Sequence, residues 1–99
     1  MPLRGVLRHE AVTVAGTAIG MTVTAAQGVR PDAAVITVES AAIRFTVDGT
    51  TPTATVGHLA EPGDVIELVS SAQVNRFLAI RQGGTSATIM CTQGNEYVP

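Results

Sequence analysis

Apolar and polar positions alternate along most of the chain. Residues 42–47 show this most clearly: Ile43, Phe45 and Val47 fall on one side of an extended segment, Arg44 and Thr46 on the other. Residues 33–39 set Ile36 and Val38 against Thr37 and Glu39, and residues 65–69 set Ile66 and Leu68 against Glu67. In residues 85–92, Ala87, Ile89 and Cys91 share a face. Residues 10–15 carry Val12 and Val14 on one face, and residues 18–24 carry Ile19, Met21 and Val23. Residues 74–81 are apolar on both sides, Leu78 and Ile80 on one and Phe77 and Ala79 on the other, which predicts a central strand.

Turn chemistry separates these runs. Asp48-Gly49 and Gln82-Gly83-Gly84 read as tight turns, and Glu61-Pro62-Gly63-Asp64 fits a type II turn with Pro at the second position and Gly at the third. Gly20 marks a bulge or a close backbone approach. Pro52 places the threonine-rich stretch 50–56 on an edge or in a loop, because proline donates no ladder hydrogen bond. Residues 70–73 read as a polar connection, and no helix of ordinary length is legible. The prediction is an all-β chain: a single small β-sandwich, or a jelly-roll or barrel-like variant, of about seven strands with turn signals every ~8–12 residues. Its domain spans residues 10–93, between a flexible N-terminal arm (1–9) and a short C-terminal tail (94–99). Ile36, Val38, Ile43, Phe45, Val47, Ile66, Leu68, Leu78, Ile80, Ile89 and Cys91 are the expected core. Within it, Phe45→Ala is expected to cost ~3–5 kcal/mol.

Composition narrows the function. The 99 residues are 45% hydrophobic and only 14% charged, and the basic residues are six arginines with no lysine. A net charge of −2 argues against a general nucleic-acid binder. No apolar run reaches the ~18 residues of a membrane span, and the first residues lack the apolar core of a signal peptide, so synthesis and folding in a cytoplasm are expected. The single cysteine, Cys91, fits a reducing compartment and reads as a small buried hydrophobe.

Candidate chemistry is sparse. The eight carboxylates fall mostly in turns or on solvated strand faces, with none paired as a hydrolytic dyad would need. His58 has no companion at metal-ligand spacing. The Pro62-Gly63-Asp64 turn is similar to one found in cupins, but the cupin histidine cluster is missing. No phosphate-binding glycine loop or nucleophile elbow is present. The expectation is a non-enzyme with no cofactor, metal or small-molecule substrate. The arginines are the notable charges, because guanidinium groups suit protein interfaces. Arg4, Arg8, Arg44 and Arg76, with Tyr97, are the candidate partner contacts.

Two resemblances add to this. Ile43-Arg44-Phe45-Thr46-Val47-Asp48-Gly49-Thr50-Thr51-Pro52-Thr53 is similar to a hairpin of the Ig-like module appended to bacterial carbohydrate-active enzymes, which implies sugar binding through Asp48–Thr53. Over a longer span, from Ala33 to Thr92, the chain resembles a family of small tailed-bacteriophage proteins encoded among virion structural genes. The resemblance is carried by the Ile-Thr-Val-Glu strand, Ala-Ile-Arg-Phe-Thr-Val-Asp-Gly-Thr-Thr-Pro-Thr, Gly57-His58, Pro62-Gly63-Asp64, Phe-Leu-Ala-Ile-Arg and Thr-Ser-Ala-Thr-Ile. It implies a virion component, above all a capsid decoration (cement) protein. Such a protein binds the major capsid protein and itself, as a homo-oligomer such as a trimer. A tail or head–tail connector component is the main alternative within the virion.

Overall fold

The computed structural model describes residues 5–21 and 31–95. They form seven strands and one short helix: β1 (Gly5–Val14), β2 (Ala33–Val38), β3 (Ile43–Thr46), β4 (His58–Ala60), β5 (Val65–Leu68), α1 (Ser71–Arg76), β6 (Leu78–Arg81) and β7 (Ala87–Asn95). All strand pairs are antiparallel and make two sheets, one ordered β1-β7-β2-β5 and the other β4-β3-β6. The chain is therefore the small all-β, sandwich-like fold that its alternation predicts.

The core lies between the sheets. Val12 and Val14, Ile36 and Val38, Ile66 and Leu68, and Ala87, Ile89 and Cys91 come from the four-stranded sheet. They meet Ile43, Ala60, Phe77 and Ala79 from the three-stranded side and Val74 from α1. Alternation explains the strand contributions, since successive side chains of a strand point to opposite faces. Of the expected core, Leu78 and Ile80 are only half-buried, and the inward face of that segment is the other one, Phe77 and Ala79. An apolar strand gives no sign of which side faces in; pairing with β3 decides it. Phe45 and Val47 are half-buried, packed at the margin of the core. Thr46, expected outside, is buried, and its hydroxyl donates to the Thr50 carbonyl.

Other boundaries differ from expectation. The predicted arm, residues 1–9, is partly strand: Gly5–His9 continue β1 along β7, with a bulge between Val6 and Arg8. The predicted tail is likewise shortened, because Gly94 and Asn95 belong to β7. Gly94 aligns with both Val6 and Ala33 in the ladders. Residues 1–4 and 96–99 lie outside the described residues. Of the predicted strand 18–24, Ile19 makes a single bridge to Ala79, Gly20 and Met21 follow it without regular structure, and 22–24 lie outside the described residues. A Cβ on Gly20 would sit 2.7 Å from the Phe77 carbonyl, so the expected close approach is real. The predicted connection at 70–73 instead opens α1. Ser70 caps it, its hydroxyl accepting from the Gln73 amide at 3.2 Å, and the Gln73 side chain accepts from the Val69 amide at 2.8 Å.

Candidate functional site

Two surfaces stand out, one concave and one flat. The concave one begins where β3 ends. Asp48 turns the chain, its carboxylate accepting from the Thr50 amide at 3.0 Å, and Gly49 takes the positive φ of 89° that the turn requires. Thr53 and Val56 close the following loop with reciprocal backbone bonds of 3.0 and 3.3 Å, and Pro52 is fully buried beneath it. Arg44 pins this loop, donating from Nε to the Ala54 carbonyl and from Nη1 to the Gly57 carbonyl, both at 3.2 Å. Gly57 is obligatory: its φ is 119°, and a Cβ there would lie 2.9 Å from the Phe45 carbonyl.

These constraints leave a hollow of about 390 Å³ lined by Thr46, Val47, Asp48, Thr50, Gly57 and His58. The His58 ring lies 5.4 Å from Phe45, which in turn lies 5.8 Å from Phe77, so the hollow's wall is continuous with the core. The Asp48 carboxyl is held below its ordinary value by the Thr50 amide first and the Thr50 hydroxyl next, with Arg76 a smaller influence. The hollow thus offers hydroxyls, a carboxylate and an imidazole beside an aromatic ring, a set suited to hydrogen-bonding a polar ligand. It offers no paired acid and base, since Asp48 is already committed to the turn.

The flat surface is the outer face of the four-stranded sheet. Strand register builds it in rows. His9 aligns with Thr92, Thr92 with Val35, and Val35 with Glu67. The next row runs Ala11, Met90, Thr37 and Val65, and Thr13 beside Thr88 follows. Val65 and Val69 are well exposed, at 59% and 56%. His9 and Glu67 are the ionisable side chains in these rows, and they stand at opposite ends of one of them.

The three predicted contact residues that lie among the described residues, Arg8, Arg44 and Arg76, do not form one site. Arg44 is half-buried and spent on the loop, whereas Arg76, exposed in the last turn of α1, is near enough to influence Asp48. Arg8 lies on the other sheet, turned to the inner face, where it pairs with Glu10 at 3.6 Å. Arg4 and Tyr97 lie outside the described residues. Cys91 is buried, and its thiol is pushed up to about 12 by desolvation, aided by the Glu10 charge. Such a thiol is no nucleophile at neutral pH. Among the described residues no group of three or more His, Cys, Asp and Glu is placed to hold a metal ion.

The flat face went unread in the sequence because it exists only through register. Val35, Met90 and Ala11 are far apart in the chain, and nothing local marks them as neighbours. The hollow had a local signal in Asp48-Gly49 and Gly57-His58, but only the Arg44 clasp brings the two ends together. No family model, curated protein or solved structure matches the chain.

Proposed function

We propose that this chain is a bacteriophage virion structural protein, and within that class a capsid decoration protein that binds the major capsid protein lattice and stabilises the head. The observation that carries this reading is the flat outer face of the β1-β7-β2-β5 sheet, a broad surface of Val, Thr, Ala and Met with little charge. A surface of that kind works by burying area against another protein. The resemblance of residues 33–92 to small virion proteins supports the same reading. A decoration protein needs only modest contacts per copy, because attachment at many sites on a particle sums them. The test is cryo-electron microscopy of the phage particle whose genome encodes the chain. The expected result is sandwich-shaped density of this size on the capsid exterior. Density confined to the tail or the portal vertex would make the chain a tail or connector component, and absence from purified particles would overturn the virion reading.

A second reading has its own support in the hollow at Asp48–His58, which coincides with the segment similar to an Ig-like carbohydrate-binding module. On that reading the chain is a sugar-binding domain. Titration with oligosaccharides should then shift the amide resonances of Thr46, Asp48, Thr50 and His58, and leave those of β1 and β7 in place. Unmoved resonances across a panel of glycans would remove it.

A further inference from the structure

The sheet edges of this molecule are guarded. β1 carries its bulge between Val6 and Arg8 and turns the Arg8–Glu10 pair to the inner face. β4 and β5 have only three and four residues, and the edge of β6 is covered by Ala15 and Ile19. Bulges, inward charges and short strands are the devices that stop sheets from joining edge to edge. The outer face of the four-stranded sheet carries no such device in its central rows, where half-buried Val35, Thr37, Met90 and Thr92 lie level with exposed Ala11 and Val65.

We propose that this face is a two-fold self-association surface, stacked on the same face of a second copy with His9 of each opposite Glu67 of the other. The rows make it self-complementary. A two-fold axis lying in the interface parallel to the strands reverses the strand order and keeps position along the strands. β1 then lies over β5 of the second copy, and β7 over β2. In the first row His9 meets Glu67 and Thr92 meets Val35, each twice. In the second row Ala11 meets Val65 and Met90 meets Thr37, a small side chain against a larger one each time. An axis across the strands would instead lay β5 on β5 and bring Glu67 against Glu67 or against valine.

Stacked sheets incline by ~30°, which displaces the outer strands along their length by only about 4 Å, a gap that His and Glu side chains span. The footprint is about 300 Å² per copy, from ~4.8 Å between strands and ~3.3 Å per residue. That is about 600 Å² in total, below a standard specific interface, so the dimer is weak and concentration-dependent in solution.

This inference rests on the virion reading in taking this sheet face as the working part of the molecule, and it narrows that reading: the face joins two copies of the chain, and the capsid lattice is gripped by other surfaces of the pair. Sedimentation velocity of the free chain over rising concentration should show a monomer–dimer equilibrium. A short bis-maleimide should link the double variant His9→Cys/Glu67→Cys into a covalent dimer, because the facing Cα atoms stand about 10 Å apart, within its reach and beyond that of a disulfide. Each single variant should stay uncrosslinked, because the two copies of position 9 stand a sheet width apart. Thr37→Arg, at mid-face, should abolish the dimer while keeping the wild-type circular dichroism. If it unfolds the chain, the crosslinking result decides alone. A monomer at every concentration, a trimer, or crosslinking of a single variant as efficient as that of the double would overturn the proposal. These measurements use free protein, so a monomer that still coats particles fails this inference only. A dimer absent from particles fails the virion reading only.

Discussion

Phe77 and Phe45 illustrate how one ring contact can join two residues of unequal weight. Their centroids lie 5.8 Å apart, yet Phe77 is 1% exposed and Phe45 sits at the core's margin beside His58. Truncating a fully enclosed phenylalanine removes its transfer free energy and leaves a cavity, which together cost ~3–5 kcal/mol. Phe77→Ala should therefore lower unfolding stability by that amount, a large share of what a domain of this size has. Phe45→Ala should cost less, since water can refill part of its site, and urea titration of the two variants gives the comparison directly. Cys91 makes a prediction with a definite sign. Its thiol is pushed up to about 12 in the folded chain from an ordinary value of 9.0. Above pH 9 the unfolded chain sheds this proton and the folded chain holds it, so ionisation of the thiol increasingly favours the unfolded state as pH rises. The stability linked to Cys91 is complete below pH 9 and declines toward pH 12. Urea midpoints measured from pH 8 to 10.5 should fall more steeply in the wild-type protein than in Cys91→Val, and parallel slopes would contradict the burial of an un-ionised thiol.

At the scale of elements, legibility follows how local the signal is. β2, β3 and β5 were readable because strict alternation and the Asp48-Gly49 and Pro62-Gly63 turns bound them. Gly63 has the positive φ of 93°, and the Asp64 amide donates to the Glu61 carbonyl at 2.9 Å, as a type II turn requires. β4 was not readable, because three residues are too few to show a period and His58 breaks the apolar pattern. The first half of β1 was hidden for a different reason. Arg8 occupies an inward position, where alternation predicts an apolar side chain, so residues 1–9 read as an arm. The candidate contacts fared similarly: the type of residue at Arg44 was legible, but its clasp on the loop depends on a fold-back that no spacing reveals. In α1 the signal was present, as Ser70 followed three residues later by Gln73 ahead of Val74, but the Val, Phe, Leu and Ile that follow favour a strand. The cap outweighs that local preference where Val74 finds the core. Ser70→Ala removes the acceptor for the Gln73 amide and should destabilise the fold by about 1 kcal/mol. Ser70→Asp, which keeps an acceptor, should restore most of the loss in the same thermal melt.

Across the whole molecule, the decisive fact is that the first strand and the last lie side by side. β7 is flanked by β1 and β2, so the four-stranded sheet has no middle until the C-terminal segment arrives. Val12 aligns with Ile89 and Val14 with Ala87, pairings that close a loop of more than seventy residues. Closing such a loop costs entropy before any contact repays it, and chains dominated by non-local strand pairing fold in milliseconds to seconds rather than microseconds. Stopped-flow refolding from urea should accordingly show a main phase in that slow range. A shortened chain ending at Ser86 should lose cooperative unfolding altogether, because it strands Val12 and Val14 on one side and Ile36 and Val38 on the other with nothing between them. Hydrogen exchange should rank the strands in the same order. The amides of β7, β2 and β3, each central in its sheet or flanked on both sides, should exchange most slowly, and those of β4 and Gly5–His9 fastest. Fast exchange across β7 would mean that the sheet is not organised around it and that the core does not lie between these two sheets.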